Sequence, residues 1–341
     1  MKVLLIGLGE SYTVGTFFAN GLKSLGVDHI AIDLRRYYKF QGYSIIDRFS
    51  YRVFGSRLNT FLFLNKEIVA AARQIRPDIV IVIKGSNILP RTLIKLKKYY
   101  GSKLINFATD DPFSPHIQTK NLIESIPLYD LYVCTKRAII NDIENAGGSN
   151  VVYLPFAYEP SLHYPASHIT LKEREQFTND IVFIGGGDSY RRKIIAILSK
   201  IPSINIHLYG GYWNTYPESK KFYHGYAIDH EFRLAYSLSK ISPGLIRHSN
   251  RDGHSMRSFE IPACGAFLLA EGTEEHKELF REDQDAVFFY SVDELVNKVN
   301  FYKNHEALRR KIAMQGYERI TNGQNTYLDR LKSILKYSEN I

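Results

Sequence analysis

Arg251-Asp252-Gly253-His254-Ser255-Met256-Arg257-Ser258-Phe259-Glu260-Ile261-Pro262-Ala263-Cys264-Gly265, running on through the apolar residues 266–269 to Glu271, reads as a turn, a short helix and a buried strand in succession. Gly253 permits a tight turn, and the pattern predicts a helix over 255–263. The first N–H groups of that helix, near Ser255 and Met256, and its positive end would form a seat for a diphosphate. Glu260 follows about a turn and a half later, where a carboxylate can accept two hydrogen bonds from a ribose diol. Arg257, one turn before Glu260, is either a phosphate ligand or half of a structural ion pair. Cys264-Gly265 closes the helix, and 266–269 is the next strand.

The same alternation extends in both directions. Short apolar strands are expected at 3–6, 29–33, 79–83, 104–107, 131–134 and 151–154, with helical segments between them. An irregular stretch around Tyr158-Glu159-Pro160 and Tyr164-Pro165 reads as a linker. The pattern then restarts with strands at 181–184, 204–209, 244–246, 266–269 and 287–290, and helices at 191–200, 230–240, 255–263, 293–303 and 305–320. Strands alternating with helices imply parallel sheets covered on both faces. A length of 341 residues suits two such domains. The expected class is α/β, with two Rossmann-like doubly wound parallel sheets facing a cleft that their carboxyl ends line. Boundaries are expected at 1–160, 161–325 and 326–341, the last being a helix that packs back on the first domain.

Two further glycine turns carry the reading of a nucleotide. Gly185-Gly186-Gly187-Asp188-Ser189-Tyr190-Arg191-Arg192-Lys193 places three cations in the first turns of a helix, where an anion would compensate them. Arg191 and Arg192 are therefore candidate diphosphate ligands, and plain surface exposure is the alternative. Tyr209-Gly210-Gly211 lets backbone approach a nucleotide base, or is simply a turn. Gly7-Leu8-Gly9 after the first strand resembles a dinucleotide fingerprint, but Tyr12 stands at the third glycine position. NAD binding is thus disfavoured, although Gly9 could still approach a phosphate.

The spacing of Asp252 and Glu260, with seven residues between them, is similar to the E-x7-E motif of retaining GT-B glycosyltransferases, with Asp in the first place. The chain also resembles the CgeB-like (spore maturation protein) branch of these enzymes over most of its length. The matching pieces are Asp110-Asp111-Pro112, Tyr153-Leu154-Pro155-Phe156-Ala157, Phe183-Ile184-Gly185, Arg191-Arg192, Tyr209-Gly210 and Arg257-Ser258-Phe259-Glu260. They continue through Glu278-Leu279-Phe280, Asp293-Glu294-Leu295, Ile312-Ala313-Met314-Gln315-Gly316 and Asn325-Thr326-Tyr327 to Arg330. The resemblance implies a GT-B glycosyltransferase in which Asp252 faces the donor hexose and Glu260 holds the ribose, with retention at the anomeric carbon. A non-catalytic GT-B binding protein is the alternative, and an NAD-dependent oxidoreductase a more distant one.

Asp110-Asp111-Pro112 follows a strand end, where paired acids could orient or deprotonate an acceptor hydroxyl, or merely cap a turn. His254 and His116 could also reach the cleft, though a single histidine is more often structural. No D-x-D-type metal site is evident, so arginines and a helix dipole are expected to neutralise the leaving diphosphate without metal or other cofactor. Residues 1–170 hold 20 Lys+Arg against 13 Asp+Glu, whereas the remainder holds 24 against 22. Aromatics interleave the densest basic part, from Arg35-Arg36-Tyr37-Tyr38-Lys39-Phe40 to Arg48-Phe49, Tyr51-Arg52 and Phe54. This is either a solvated face or a contact with anionic membrane that keeps the enzyme near a glycan or lipid-linked acceptor. No nucleic-acid recognition module is visible. Cys134 and Cys264 lie in apolar segments and read as reduced and buried, and no apolar run reaches membrane-helix length. A cytoplasmic protein, at the inner face of the membrane if that contact is made, is expected.

Overall fold

The computed structural model describes residues 1–38 and 58–341, so the basic-aromatic residues Lys39, Phe40, Arg48, Phe49, Tyr51, Arg52 and Phe54 lie outside the described residues. The chain divides into two compact units. The first comprises Met1–Pro155, Ser249–Arg251 and Tyr327–Ile341; the second comprises Phe156–His248 and Asp252–Thr326.

Among the described residues, the first unit is built on six parallel strands: β1 (Lys2–Leu8), β2 (Asp28–Asp33), β3 (Ile79–Ile83), β4 (Lys103–Ala108), β5 (Leu131–Cys134) and β6 (Val151–Tyr153). Their order is β2-β1-β3-β4-β5-β6. The central strands are buried apolar runs, as parallel strands covered on both faces must be. The chain's last helix, Tyr327–Glu339, belongs to this unit and packs on the helix Val14–Ser24: Tyr327 stacks on Phe17 at 4.8 Å and Arg330 Nε donates to the Pro155 carbonyl at 2.8 Å.

The turn after β1 shows why the glycine spacing departs from the dinucleotide pattern. A Cβ on Gly15 would lie 1.9 Å from the Gly7 carbonyl oxygen. Gly15 is therefore the position at which helix and strand backbones touch, three residues later than the fingerprint requires. Thr13 and Thr16 fill the longer turn, with the Thr16 hydroxyl donating to the Gly9 carbonyl at 3.1 Å.

The second unit repeats the winding with β7 (Asn179–Ile184), β8 (Ile206–Tyr209), β9 (Ser239–Gly244), β10 (Leu268–Glu271) and β11 (Val287–Phe289), in the order β11-β10-β9-β7-β8. In each sheet the order switches beside the first strand, between β1 and β3 and between β7 and β9. Ligands of open α/β sheets bind outside the carboxyl ends of the strands at such a point.

Two expected elements move. The strand expected at 244–246 is β9, which begins at Ser239, and the helix before it stops at Ser237. Ser239 and Lys240 are a polar start for a buried strand, but β7 starts equally polar with Asn179 and Asp180. Ser239 Oγ donates to Asn179 Oδ1 and Lys240 Nζ to Asp180 Oδ1, both at 2.8 Å. The strand expected at 266–269 pairs from Leu268, because the Ala266 N–H is bound to the Ile261 carbonyl at 3.1 Å in closing the helix end, with Gly265 left-handed at φ +69°. Both cysteines are free and buried, and burial raises the pKa of both thiols, Cys134 to about 12. Among the described residues, no helix is long and apolar enough to cross a membrane.

Candidate functional site

The turns that follow β7 and β8 are laced together by backbone. Gly185 N donates to the Tyr209 carbonyl at 2.9 Å, Gly187 N to the Gly211 carbonyl at 3.0 Å and Gly210 N to the Gly225 carbonyl at 2.8 Å. A Cβ on Gly210 would stand 2.6 Å from the Gly185 carbonyl oxygen, and one on Gly187 would stand 2.8 Å from the Trp213 ring. Glycine is needed at both places for close approach. Trp213, the chain's single tryptophan, is buried and donates Nε1–H to the Gly185 carbonyl at 2.7 Å. Tyr209, expected near a nucleotide base, is only 3% exposed and stacks on Phe177. Its place is in the core, because it is the last residue of β8 and points into the sheet–helix interface.

Arg191 corrects the expectation of a direct phosphate ligand. It is buried, its NH2 donates to the Leu245 carbonyl at 2.9 Å and its NH1 to the Gly186 carbonyl at 3.2 Å. Burial pushes its pKa down, offset by Asp188. Arg191 thus ties the turn after β7 to the end of β9 across the switch point. Arg192 lies differently, with its guanidinium over the Tyr216 ring at 3.3 Å. Arg191 Nε, Arg192 Nε and Asp188 Oδ2 are buried without a hydrogen-bond partner among the described residues. Unsatisfied polar atoms gathered at one turn mark a place where further polar groups fit.

After β9 the chain returns to this point. Asp252 Oδ2 accepts from Arg247 N at 3.3 Å, which closes the short loop between them. Gly253 is required for a reason other than turn conformation: the carboxylate of Glu275 would lie 2.4 Å from its Cβ. His254, an expected proton-transfer candidate, is structural. It is fully buried, its Nδ1–H donates to Glu275 Oε2, and its Nε2 accepts from Phe156 N at 3.0 Å. Both ring nitrogens are engaged. The helix starts at Arg257 rather than Ser255, and the Ser255 N–H donates to Ser258 Oγ at 3.1 Å. Met256, at the N-cap, packs partly on the core. Ser258 Oγ in turn donates to His276 Nε2 at 2.8 Å, and His276 Nδ1–H to the Glu271 carbonyl at 2.7 Å.

Arg257 and Glu260 form the centre of this segment. Arg257 Nε donates to the Ile184 carbonyl, the last residue of β7, at 2.7 Å, and its NH1 binds Glu260 Oε2. Its guanidinium lies 5.1 Å from the Phe232 ring. Glu260 is 1% exposed, and its Oε1 lies 3.6 Å from His163 Nε2. Both oxygens of the carboxylate expected to hold a ribose face Arg257 and the His163 imidazole in this structure. His163 was not found in the sequence. Its Nδ1 accepts from Glu159 N at 2.9 Å, so Nε2 bears the proton toward Glu260, and burial keeps the ring's pKa below the ordinary histidine value. It lies in the linker, where no periodic pattern could have flagged it.

In the first unit, Asp110 Oδ2 pairs with Lys84 Nζ at 2.8 Å, and Lys84 holds a left-handed φ of +66°. Asp111 corrects the reading of paired acids acting on a hydroxyl. Its carboxylate is buried and bidentate on Arg251, with Nε at 2.6 Å and NH2 at 3.0 Å, and accepts from Phe113 N at 2.9 Å. Asp111 N donates to Asn250 Oδ1 at 2.8 Å and Ser114 Oγ to the Ser249 carbonyl at 3.0 Å, so Asp111 and Ser114 hold the segment Ser249–Arg251 in this unit. A surface pocket of about 580 Å³ opens beside this staple, with Phe113, Asp142 and Asn145 in its lining. His116 is exposed. Among the described residues, no three His, Cys, Asp or Glu side chains gather as a metal would require.

Two buried histidines of the second unit, His207 and His276, make stability depend on pH. His207 stacks on His224 with ring centroids 4.0 Å apart, and burial, then the neighbouring His224, push the His207 pKa down to about 4. Burial does the same to His276, also to about 4. Each stays neutral when folded and protonates near pH 6.5 when unfolded, so its contribution is present above 6.5 and is lost as pH falls toward 4. Each is worth on the order of 2 kcal/mol. Urea midpoints should fall between pH 6.5 and 4.5, and His207→Phe should flatten that fall. The Glu173 carboxyl, held at about 2 by the Thr170 backbone and hydroxyl, titrates below this window.

Residues 191–336 match the family described as glycosyl transferase-like. No curated protein matches the sequence. Among solved structures, HepE (Alr3699) of Anabaena in complex with UDP and glucose is similar with a TM-score of 0.69, over 100% of both chains, at 12% identity. Sucrose-phosphate synthase of Thermosynechococcus elongatus gives 0.70, over 99% of this chain and 98% of that one, at 14% identity. The apo form of the lipopolysaccharide outer core galactosyltransferase WaaB gives 0.60, over 99% and 100%, at 12% identity. At such identities the likeness establishes the fold: two parallel-sheet α/β units of GT-B type.

Proposed function

From the glycosyl transferase-like match and the GT-B fold, we propose that this protein transfers a sugar from a nucleotide-diphosphate donor to a glycan or lipid-linked acceptor. A UDP-sugar is the favoured donor, since HepE of similar fold was crystallised with UDP and glucose. The observation that carries the reading is the construction of the β7–β9 switch point. Arg257 is fastened to the end of β7 and to Glu260 there, and Arg191 ties the same turn to β9. Glycine backbone at 185–187, Arg192 and Arg257 would meet the diphosphate and stabilise the charge that develops on the leaving group. Glu260 would take the ribose once Arg257 turns from it to the phosphates, with Asp252 near the hexose and His163 steadying Glu260 from behind.

Retention, a metal-independent reaction and a CgeB-like role in cell-surface or spore-coat glycans belong to the same proposal. So does a cytoplasmic site of action at the inner face of the membrane. The helix Pro90–Tyr100 supports that last element, with Arg91, Lys95, Lys97 and Lys98, no acidic residue, and exposed Ile94 and Tyr99.

A screen of UDP-, GDP-, ADP-, TDP- and CMP-sugars tests the reading by melting temperature and by release of free nucleotide, with and without EDTA. One UDP-sugar should raise the melting temperature as a bound ligand must, and UDP release should rise with acceptor and be indifferent to EDTA. A protein that no nucleotide sugar stabilises contradicts the proposal, and one that binds without turnover is a binding protein.

A further inference from the structure

Tyr212, in the second unit, joins a left-handed backbone to a large exposed ring. It follows Gly210-Gly211 at the end of β8, holds a left-handed φ of +71°, and is 71% exposed. An aromatic side chain with that backbone costs about 1 kcal/mol or more, and such outliers persist where a site uses them. Its ring stands over the glycine turn after β7, with Cδ2 3.8 Å from the position of a Cβ on Gly186. Tyr226, 58% exposed, faces the other glycine of the pair, its hydroxyl 3.5 Å from the position of a Cβ on Gly211. The floor between them is backbone from three segments, joined by the Gly185–Tyr209, Gly187–Gly211 and Gly210–Gly225 hydrogen bonds. Beneath Tyr212 the neighbouring Trp213 is locked to Gly185.

We propose that Tyr212 and Tyr226 form the stacking platform for the nucleobase of the donor, beside the Tyr209-Gly210-Gly211 turn whose backbone the sequence offered to a base. This deepens the proposed function and rests on it. A flat, neutral ring with polar edges suits the place. Two exposed phenol faces supply stacking area with little side-chain entropy to lose. A nucleotide seated there has its phosphates at 185–187, beside Arg192 and its unsatisfied Nε.

The test uses the emission of the single tryptophan, one residue from the platform, to titrate UDP and inorganic pyrophosphate into wild type, Tyr212→Ala, Tyr212→Phe and Tyr226→Ala. Both tyrosines are exposed, so the alanine variants should melt at the wild-type temperature. Tyr212→Ala should weaken UDP about tenfold or more, Tyr226→Ala should weaken it less, and Tyr212→Phe should bind as wild type. Pyrophosphate, which has no base, should bind all four proteins equally. UDP binding by wild type with unchanged affinity in Tyr212→Ala overturns the platform and leaves the donor reading standing. An equal loss of UDP and pyrophosphate overturns it too, since a phosphate role would then be at work. A wild-type protein that ignores UDP overturns both.

Discussion

Arg257→Ala should lower the stability of the second unit by about 3 kcal/mol and abolish stabilisation by a nucleotide sugar. Glu260 is the reason for the first effect. Its carboxylate is buried, and removing Arg257 leaves a desolvated charge whose remaining neighbour, His163, is kept neutral by burial. The Ile184 carbonyl at the end of β7 loses its guanidinium donor at the same time. Arg257→Lys keeps the charge but cannot serve Ile184 and Glu260 together, because the planar fork is what spans them. The double variant Arg257→Ala/Glu260→Ala separates structure from ligand binding. It carries no orphaned charge, so its urea midpoint should recover most of the loss, while the response to nucleotide sugar stays absent. If Arg257→Ala keeps both the wild-type midpoint and the ligand response, the pair is neither structural nor part of the site.

Gly15→Ala should be the most damaging single-methyl change in the first unit. The added carbon would stand 1.9 Å from the Gly7 oxygen and 2.5 Å from its carbonyl carbon, both backbone atoms of β1 and its turn. The helix Val14–Ser24 would have to withdraw from the sheet, and with it the Phe17 contact to Tyr327 on the last helix. Overpacking against backbone has no rotamer by which to escape, so a loss of at least about 3 kcal/mol is expected. Gly26→Ala is the control: its φ of +66° strains an alanine, but nothing lies within 4 Å of the new carbon, so it should cost only about 1 kcal/mol. Comparable urea midpoints for the two variants would show that the helix and β1 are not held in contact through Gly15.

These cases also show which parts of the protein were legible in its sequence. Buried parallel strands such as 79–83 and 131–134 are unbroken apolar runs, and their boundaries could be read directly. Strands with polar starts could not, because Ser239 and Lys240 are satisfied by Asn179 and Asp180, sixty residues earlier in the chain. Residue types in the site were readable, but their partners were not. Arg191, Asp111 and His254 have the chemistry of ligand or proton carriers, yet the groups that occupy them come from Leu245, Arg251 and Glu275. The third glycine of the first turn was missed because spacing was counted in residues, whereas the contact depends on where the helix begins. Tyr212 carried no signal at all until its exposure and its backbone angle were known.

On the proposed function the donor binds within the second unit, at the β7–β9 switch point. A crystal structure of the protein with UDP tests this directly. Density is expected for the diphosphate against the backbone of 185–187 with Arg192 and Arg257 in contact, and for uracil against Tyr212. Density for UDP at the Gly7–Gly9 turn of the first unit, with the second unit's glycine turns unoccupied, would contradict it.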